Sequence, residues 1–170
     1  MSRPPTDEEF AELVHACWAS LYRTAYLMLG DRAEAEDLVQ TALAKTYANW
    51  RRVRSIDAAP GYARTTLVNT AASWFRKKGW RNERPTEVLP ETGHEPDPSE
   101  RRAVIDALAT LPPRQRAVVV LRYYEDLSVA QVAHALGIAE GTVKSQTSEA
   151  LTKLRALLGD SVIPAGAIHD

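Results

Sequence analysis

The sequence contains a single cysteine, Cys17, so no internal disulfide can form and packing alone must hold the chain together. Cys17 falls on a helical apolar stripe, where a free thiol packs as a small hydrophobe. No run of about 18 apolar residues occurs, which argues against a membrane span. The first residues, from Met1 to Glu9, are polar and acidic and lack the apolar core of a secretory signal. A cytoplasmic location is therefore expected. His15, His94, His134 and His169 are scattered, with no metal-ligand spacing to Cys17 or to a carboxylate motif. There is no phosphate-cradling glycine loop either, so the chain is not read as an enzyme, and no metal, cofactor or small-molecule substrate is expected. No segment alternates apolar and polar residues with period two, so strands are not expected. A hydrophobic content of 45% with 25% charged residues is ordinary for a globular protein and excludes wholesale disorder.

The net charge of −1 conceals an uneven distribution. Residues 1–49 hold 4 basic and 8 acidic residues, and residues 51–84 hold 9 basic and 2 acidic. Residues 85–100 hold no basic and 5 acidic residues, and residues 101–170 hold 8 basic and 7 acidic. A block of net +7 inside a neutral chain is a candidate polyanion-binding surface, because local field governs such contacts. A solvated helix face would have the same composition.

Thr6-Asp7-Glu8-Glu9 has the spacing of a capping box and opens a helix. Phe10, Leu13, Val14, Cys17, Leu21 and Ala25 continue it at spacings of three and four, and Gly30 ends it. Asp31 and Glu34 begin a second helix that buries Leu38, Ala42, Leu43, Thr46, Tyr47 and Trp50. Ala59-Pro60-Gly61 reads as a break, since proline removes a backbone donor and restricts its predecessor. A third helix follows over about 62–78, with Leu67, Val68, Ala71, Trp74 and Phe75 as its apolar face. Pro85, Pro90, Pro96 and Pro98, with Gly93 and the acids, mark residues 85–98 as a flexible acidic linker. A helix restarts at Asp97-Pro98-Ser99-Glu100. The expected fold is all-α, with two small helical domains over residues 6–84 and 99–159.

The second domain carries a helix-turn-helix pattern. Pro112-Pro113 opens one helix, Ser128 and Gln131 cap the next, and Gly137-Ile138 turns the chain into a last helix over about 140–158. Ala133 is small where two helices approach, Gly137 suits the positive φ of a tight turn, and Val143 anchors the last helix. Thr142, Lys144, Ser145, Gln146 and Ser148 then face outward toward a major groove. Lys144 reaches phosphate or guanine, and Gln146 pairs with adenine or binds phosphate. A helical hairpin in an unrelated bundle is the alternative.

In the first domain, Thr65, Asn69, Ser73, Arg76 and Lys77 share roughly one face of the third helix, extended by Lys78, Trp80, Arg81 and Arg84. Aromatics among cations suit single-stranded DNA, on which rings stack and cations hold phosphates. Core packing is the favoured reading of Trp74 and Phe75, which leaves Trp80 as the exposed aromatic. Asp37, Gln40, Thr41 and Ala44 form another face on the second helix, suited either to protein contact or simply to water.

Several segments together resemble the extracytoplasmic-function sigma factors of bacterial RNA polymerase. They are Asp37-Leu38-Val39-Gln40, Val68-Asn69-Thr70-Ala71 before a basic stretch, an acidic linker, Leu111-Pro112-Pro113-Arg114-Gln115-Arg116, and Gly141-Thr142-Val143-Lys144-Ser145. The likeness spans about residues 8–158 and is greatest to the actinobacterial SigE-family branch. It implies that Asp37, Gln40 and Thr41 grip the clamp helices of the largest polymerase subunit, with the polymerase flap as a further contact. It implies that Asn69 lies near a flipped base of the −10 element and that residues 76–84, with Ser73 beside them, steady the melted strand. Lys144, Ser145, Gln146, Ser148 and Thr142 would meet the −35 element, and an anti-sigma factor would regulate the whole. Glu149 departs from the family, which usually has arginine there; a carboxylate repels phosphate but accepts from a cytosine amino group.

A stand-alone helix-turn-helix regulator is the rival reading. It predicts tight DNA binding without polymerase, usually as a dimer. Residues 139–158 carry Lys144, Lys153 and Arg155 against Glu140 and Glu149. Phosphate neutralisation supplies most non-specific affinity, so this helix is expected to bind weakly unless tethered.

Overall fold

The computed structural model describes residues 3–78 and 99–159, with the side chains of Lys78, Ser99 and Glu100 excepted. The expected linker, Trp80, Arg81 and Arg84 lie outside the described residues. Among the described residues there are seven α-helices and no strand. They divide into two compact units, one of Asp31–Lys77 with the chain up to Tyr26, the other of the residues from Lys78 onward with Leu27–Gly30.

The first unit contains α1 (Asp7–Leu29) as far as Tyr26, α2 (Arg32–Ala48), two short 3-10 turns (Trp50–Arg52 and Ile56–Ala58) and α3 (Ala59–Lys78) as far as Lys77. The expected capping box closes α1. The Glu9 N–H donates to Thr6 Oγ1 at 3.3 Å and the Thr6 N–H donates to Glu9 Oε2 at 2.8 Å. That Thr6 N–H, with Arg3 adding to it, holds the Glu9 carboxyl below its ordinary value of 4.5. Gly30 takes a φ of 70° after α1, and Asp31 caps α2 by accepting from the Glu34 N–H at 2.8 Å. The buried side of α2 is Ala35, Leu38, Val39, Ala42, Leu43 and Thr46. Cys17 packs half-buried against the cluster of Leu13, Trp50, Val53 and Ala59, and burial pushes its thiol upward.

Three details of the first unit differ from the expectation. Tyr47 is 48% exposed, because it stands about 100° around the helix from buried Thr46. Its hydroxyl donates to Asp7 Oδ1 at 3.0 Å, which raises its own pKa, and its ring tilts against Phe10 at 4.9 Å. Trp50 is buried as expected, but in the turn after α2, where its indole N–H donates to the Thr6 carbonyl at 2.8 Å. Ala59-Pro60-Gly61 is no break but the first turn of α3. A proline costs nothing there, because first-turn N–H groups have no intrahelical acceptor.

The second unit contains α4 (Ser99–Ala109), α5 (Pro113–Val119) running into a π turn (Val120–Tyr124), α6 (Val129–Leu136) and α7 (Glu140–Leu158). Helix α7 packs against α4, α5 and α6. Leu111, Val118, Leu121, Val132, Leu136, Val143 and Ala150 are fully buried between them. The π turn is closed by the Glu125 N–H on the Val120 carbonyl at 3.0 Å, and Asp126 reverses the chain at a φ of 56°. Arg116, only 3% exposed, donates to the carbonyls of Leu108, Ala109 and Leu111. It thereby satisfies acceptors that the end of α4 leaves open.

Candidate nucleic-acid interface

The helix-turn-helix is built by local chemistry at each end of α6. Ser128 and Gln131 form a reciprocal capping box, with the Gln131 N–H on Ser128 Oγ at 3.1 Å and the Ser128 N–H on Gln131 Oε1 at 2.8 Å. At the other end Gly137 takes a φ of 66°, which fits glycine, and the Ile138 N–H donates to the Ala133 carbonyl at 3.1 Å. The turn delivers α7 with Val143 fully buried. Val143, Thr147, Ala150, Leu151 and Leu154 form the inward stripe, so at about 100° per residue Ser145, Glu149 and Thr152 lie opposite it.

Of the five residues expected to meet DNA here, Lys144 and Ser145 are exposed, and Thr142, Gln146 and Ser148 are half-buried. Lys144 and Ser148 lie on one flank of the outer strip, Thr142 and Gln146 toward the other. The Ser145 hydroxyl donates back to the Thr142 carbonyl at 3.1 Å. Glu149 is not the free carboxylate that the sequence implies. It accepts from Gln115 Nε2 at 2.9 Å, and Lys153 Nζ donates to Gln115 Oε1 at 3.2 Å.

On α3, Asn69 and Arg76 are exposed and Ser73 is half-buried, seven and four residues apart on one face. Lys77 is exposed but turned about 100° from Arg76, at the edge of that face. Lys78 ends the helix. Tyr62, at 36% exposure, stands seven residues before Asn69 on the same face. Sequence reasoning passed over it because the Pro-Gly pair beside it looked like a break. Arg51, Arg52 and Arg54, also passed over singly, are all exposed on the connection into α3, while Trp50 and Val53 pin that connection to the core. The signal was present in the +7 block, but their outward direction depends on the turn. On α2, Asp37 and Gln40 are exposed and Thr41 is half-buried, all opposite the buried stripe. No group of His, Cys, Asp and Glu among the described residues could hold a metal ion, and no helix there is long and apolar enough to cross a membrane.

The class is that of an all-helical, helix-turn-helix protein with a further helical unit that carries a basic segment. Known proteins make the assignment specific. Residues 9–81 match the model of sigma-70 region 2, and residues 107–156 match that of sigma-70 region 4. The chain is 41% identical over 165 residues to the RNA polymerase sigma-E factor of Streptomyces coelicolor, covering 95% of this chain and 92% of that protein. It is 36% identical over 150 residues to the ECF RNA polymerase sigma factor SigL of Mycobacterium tuberculosis, covering 82% of this chain and 83% of that one. Among solved structures it resembles the sigma factor RpoE of Bartonella quintana, crystallised with the anti-sigma factor NepR. There the TM-score is 0.61 at 26% identity, over 89% of this chain and 97% of that chain. The chain belongs to the extracytoplasmic-function sigma factors of the sigma-70 family.

Proposed function

We propose that this sigma factor directs core RNA polymerase to particular promoters in the cytoplasm and helps to open them, without catalysis of its own. The observation that carries the reading is a region 4 helix-turn-helix with an outward polar strip, on the same chain as a region 2 unit with exposed arginines. Region 2 without region 4, or the reverse, would not separate this reading from a stand-alone regulator.

In this reading residues 6–84 form the polymerase- and −10-binding domain, residues 85–98 an acidic linker, and residues 99–159 the −35-binding domain. Asp37, Gln40 and Thr41 dock on the clamp helices, since their face of α2 is outward and neither apolar nor basic. Asn69, Ser73, Arg76, Lys77, Lys78, Trp80 and Arg81 hold the melted −10 strand, aided by Arg51, Arg52 and Arg54. Extruding a base costs roughly a few kcal/mol, which pocket contacts and stacking offset. Thr142, Lys144, Ser145, Gln146 and Ser148 meet the −35 duplex. An anti-sigma factor, the class of partner seen with the Bartonella quintana protein, would hold the chain inactive by covering its polymerase faces.

The test is reconstitution. Purified chain added to core polymerase should yield transcripts from discrete start sites on DNA of its own genome, and core alone should not. Absence of any promoter-specific transcript would overturn the reading.

A further inference from the structure

The outward strip of α7 carries no cation at its centre. Ser145, Glu149 and Thr152 succeed one another at spacings of four and three, so they form one line along the helix. Lys144 sits to one side of this line, and Lys153 to the other is engaged with Gln115. If the flanks meet phosphates, the central line meets base edges.

Glu149 is held in place rather than swinging free. Gln115 is only 4% exposed and comes from α5. Its amide has one consistent orientation. Lysine only donates, so the amide oxygen must face Lys153, and the amide NH2 must then face Glu149. The bond from Nε2 occupies Glu149 Oε2 at 2.9 Å. Among the described residues nothing is bonded to the other carboxylate oxygen, and the residue is exposed. The result is an acceptor with one oxygen anchored on the protein and one presented outward.

In the major groove such an acceptor discriminates. Guanine presents two acceptors there, and thymine an acceptor and a methyl group. Adenine sets its N7 acceptor beside its amino group, which opposes a carboxylate, whereas cytosine presents the N4 amino donor alone. We propose that Glu149 is a specificity-determining residue that selects a cytosine in the upstream promoter element, with Gln115 as its positioning residue. This rests on the sigma-factor reading above.

The experiment selects duplexes from a promoter library randomised across the upstream element, using holoenzyme assembled from core polymerase and the full chain. Wild type should enrich cytosine at one position by about tenfold. Glu149→Gln should lose that enrichment and gain adenine at the same position, because glutamine both donates and accepts. All other positions should keep their preferences. Gln115→Leu should weaken the cytosine preference at that position without substituting adenine. A Glu149→Gln matrix identical to wild type, or changed equally at every position, would overturn the proposal while leaving the sigma-factor reading intact. A wild-type holoenzyme that enriches no sequence would overturn that reading itself.

Discussion

The two units use most of their arginines in opposite ways. In the first, Arg51, Arg52, Arg54, Arg64 and Arg76 are all exposed. In the second, Arg116 is buried on the carbonyls at the end of α4, and Arg122 donates to the Leu127 carbonyl at 2.7 Å while lying over the Tyr123 ring. Arg102, Arg114 and Arg155 are half-buried, and Arg101 on α4 is exposed. A basic residue is therefore not automatically an available one. The first unit presents its positive charge to solvent, and the second uses much of its charge to close turns and helix ends. On the outward side of α7, Lys144 and Lys153 are both exposed, and Lys153 is bonded to Gln115.

The sharpest way to break this contrast is to remove one arginine from each unit. Arg116→Ala should destabilise the second unit by about 2–5 kcal/mol, since it leaves three carbonyls, two of them buried, short of a charged donor. Arg76→Ala should stay within about 0.5 kcal/mol of wild type. Thermal melting of the two variants checks both, and equal losses would contradict the division of labour.

Replacing Arg51, Arg52 and Arg54 together by alanine should leave the melting curve nearly unchanged. It should weaken open-complex formation and reduce the salt slope of promoter binding by about 2, if each contacts a single-strand phosphate. A smaller effect belongs to the caps. Ser128→Ala removes the oxygen that receives the Gln131 N–H and should cost about 1 kcal/mol, read as a shift in the denaturation midpoint.

The pH effect is the smallest. Glu9 has a depressed pKa in the folded state, so its contribution to stability is present above the ordinary value of 4.5 and is lost as pH falls through the folded-state value. The melting temperature of Glu9→Gln should therefore vary less than the wild type's as pH falls from 4.5 through the folded-state value, as calorimetry across the acid range would show.

Local chemistry made much of the fold legible. The Thr6–Glu9 and Ser128–Gln131 boxes, the Asp31 cap and the left-handed Gly137 each act within a few residues, so their spacing alone located the helix ends. Helix α7 runs over Glu140–Leu158, as its period implied. What sequence could not reveal depended on distant partners. Arg116 looks like a surface charge until the end of α4 is folded onto it. Glu149 looks like a misplaced acid until Gln115, 34 residues away, reaches it. Tyr47 sits one step off the buried stripe and makes a contact 40 residues back, at Asp7. The exposed arginines before α3 were visible as charge but not as a surface, because Trp50 and Val53 decide which way the connection turns.

The central claim is that the helix-turn-helix reads DNA without supplying much of the affinity. The most direct test compares the full chain alone and the same chain bound to core polymerase on one promoter duplex, by fluorescence anisotropy at physiological salt. The free chain should bind no more tightly than roughly 10⁻⁶ M, the range of non-specific contacts. The holoenzyme should reach about 10⁻⁸ M or tighter. Nanomolar, sequence-specific binding by the free chain would contradict the account.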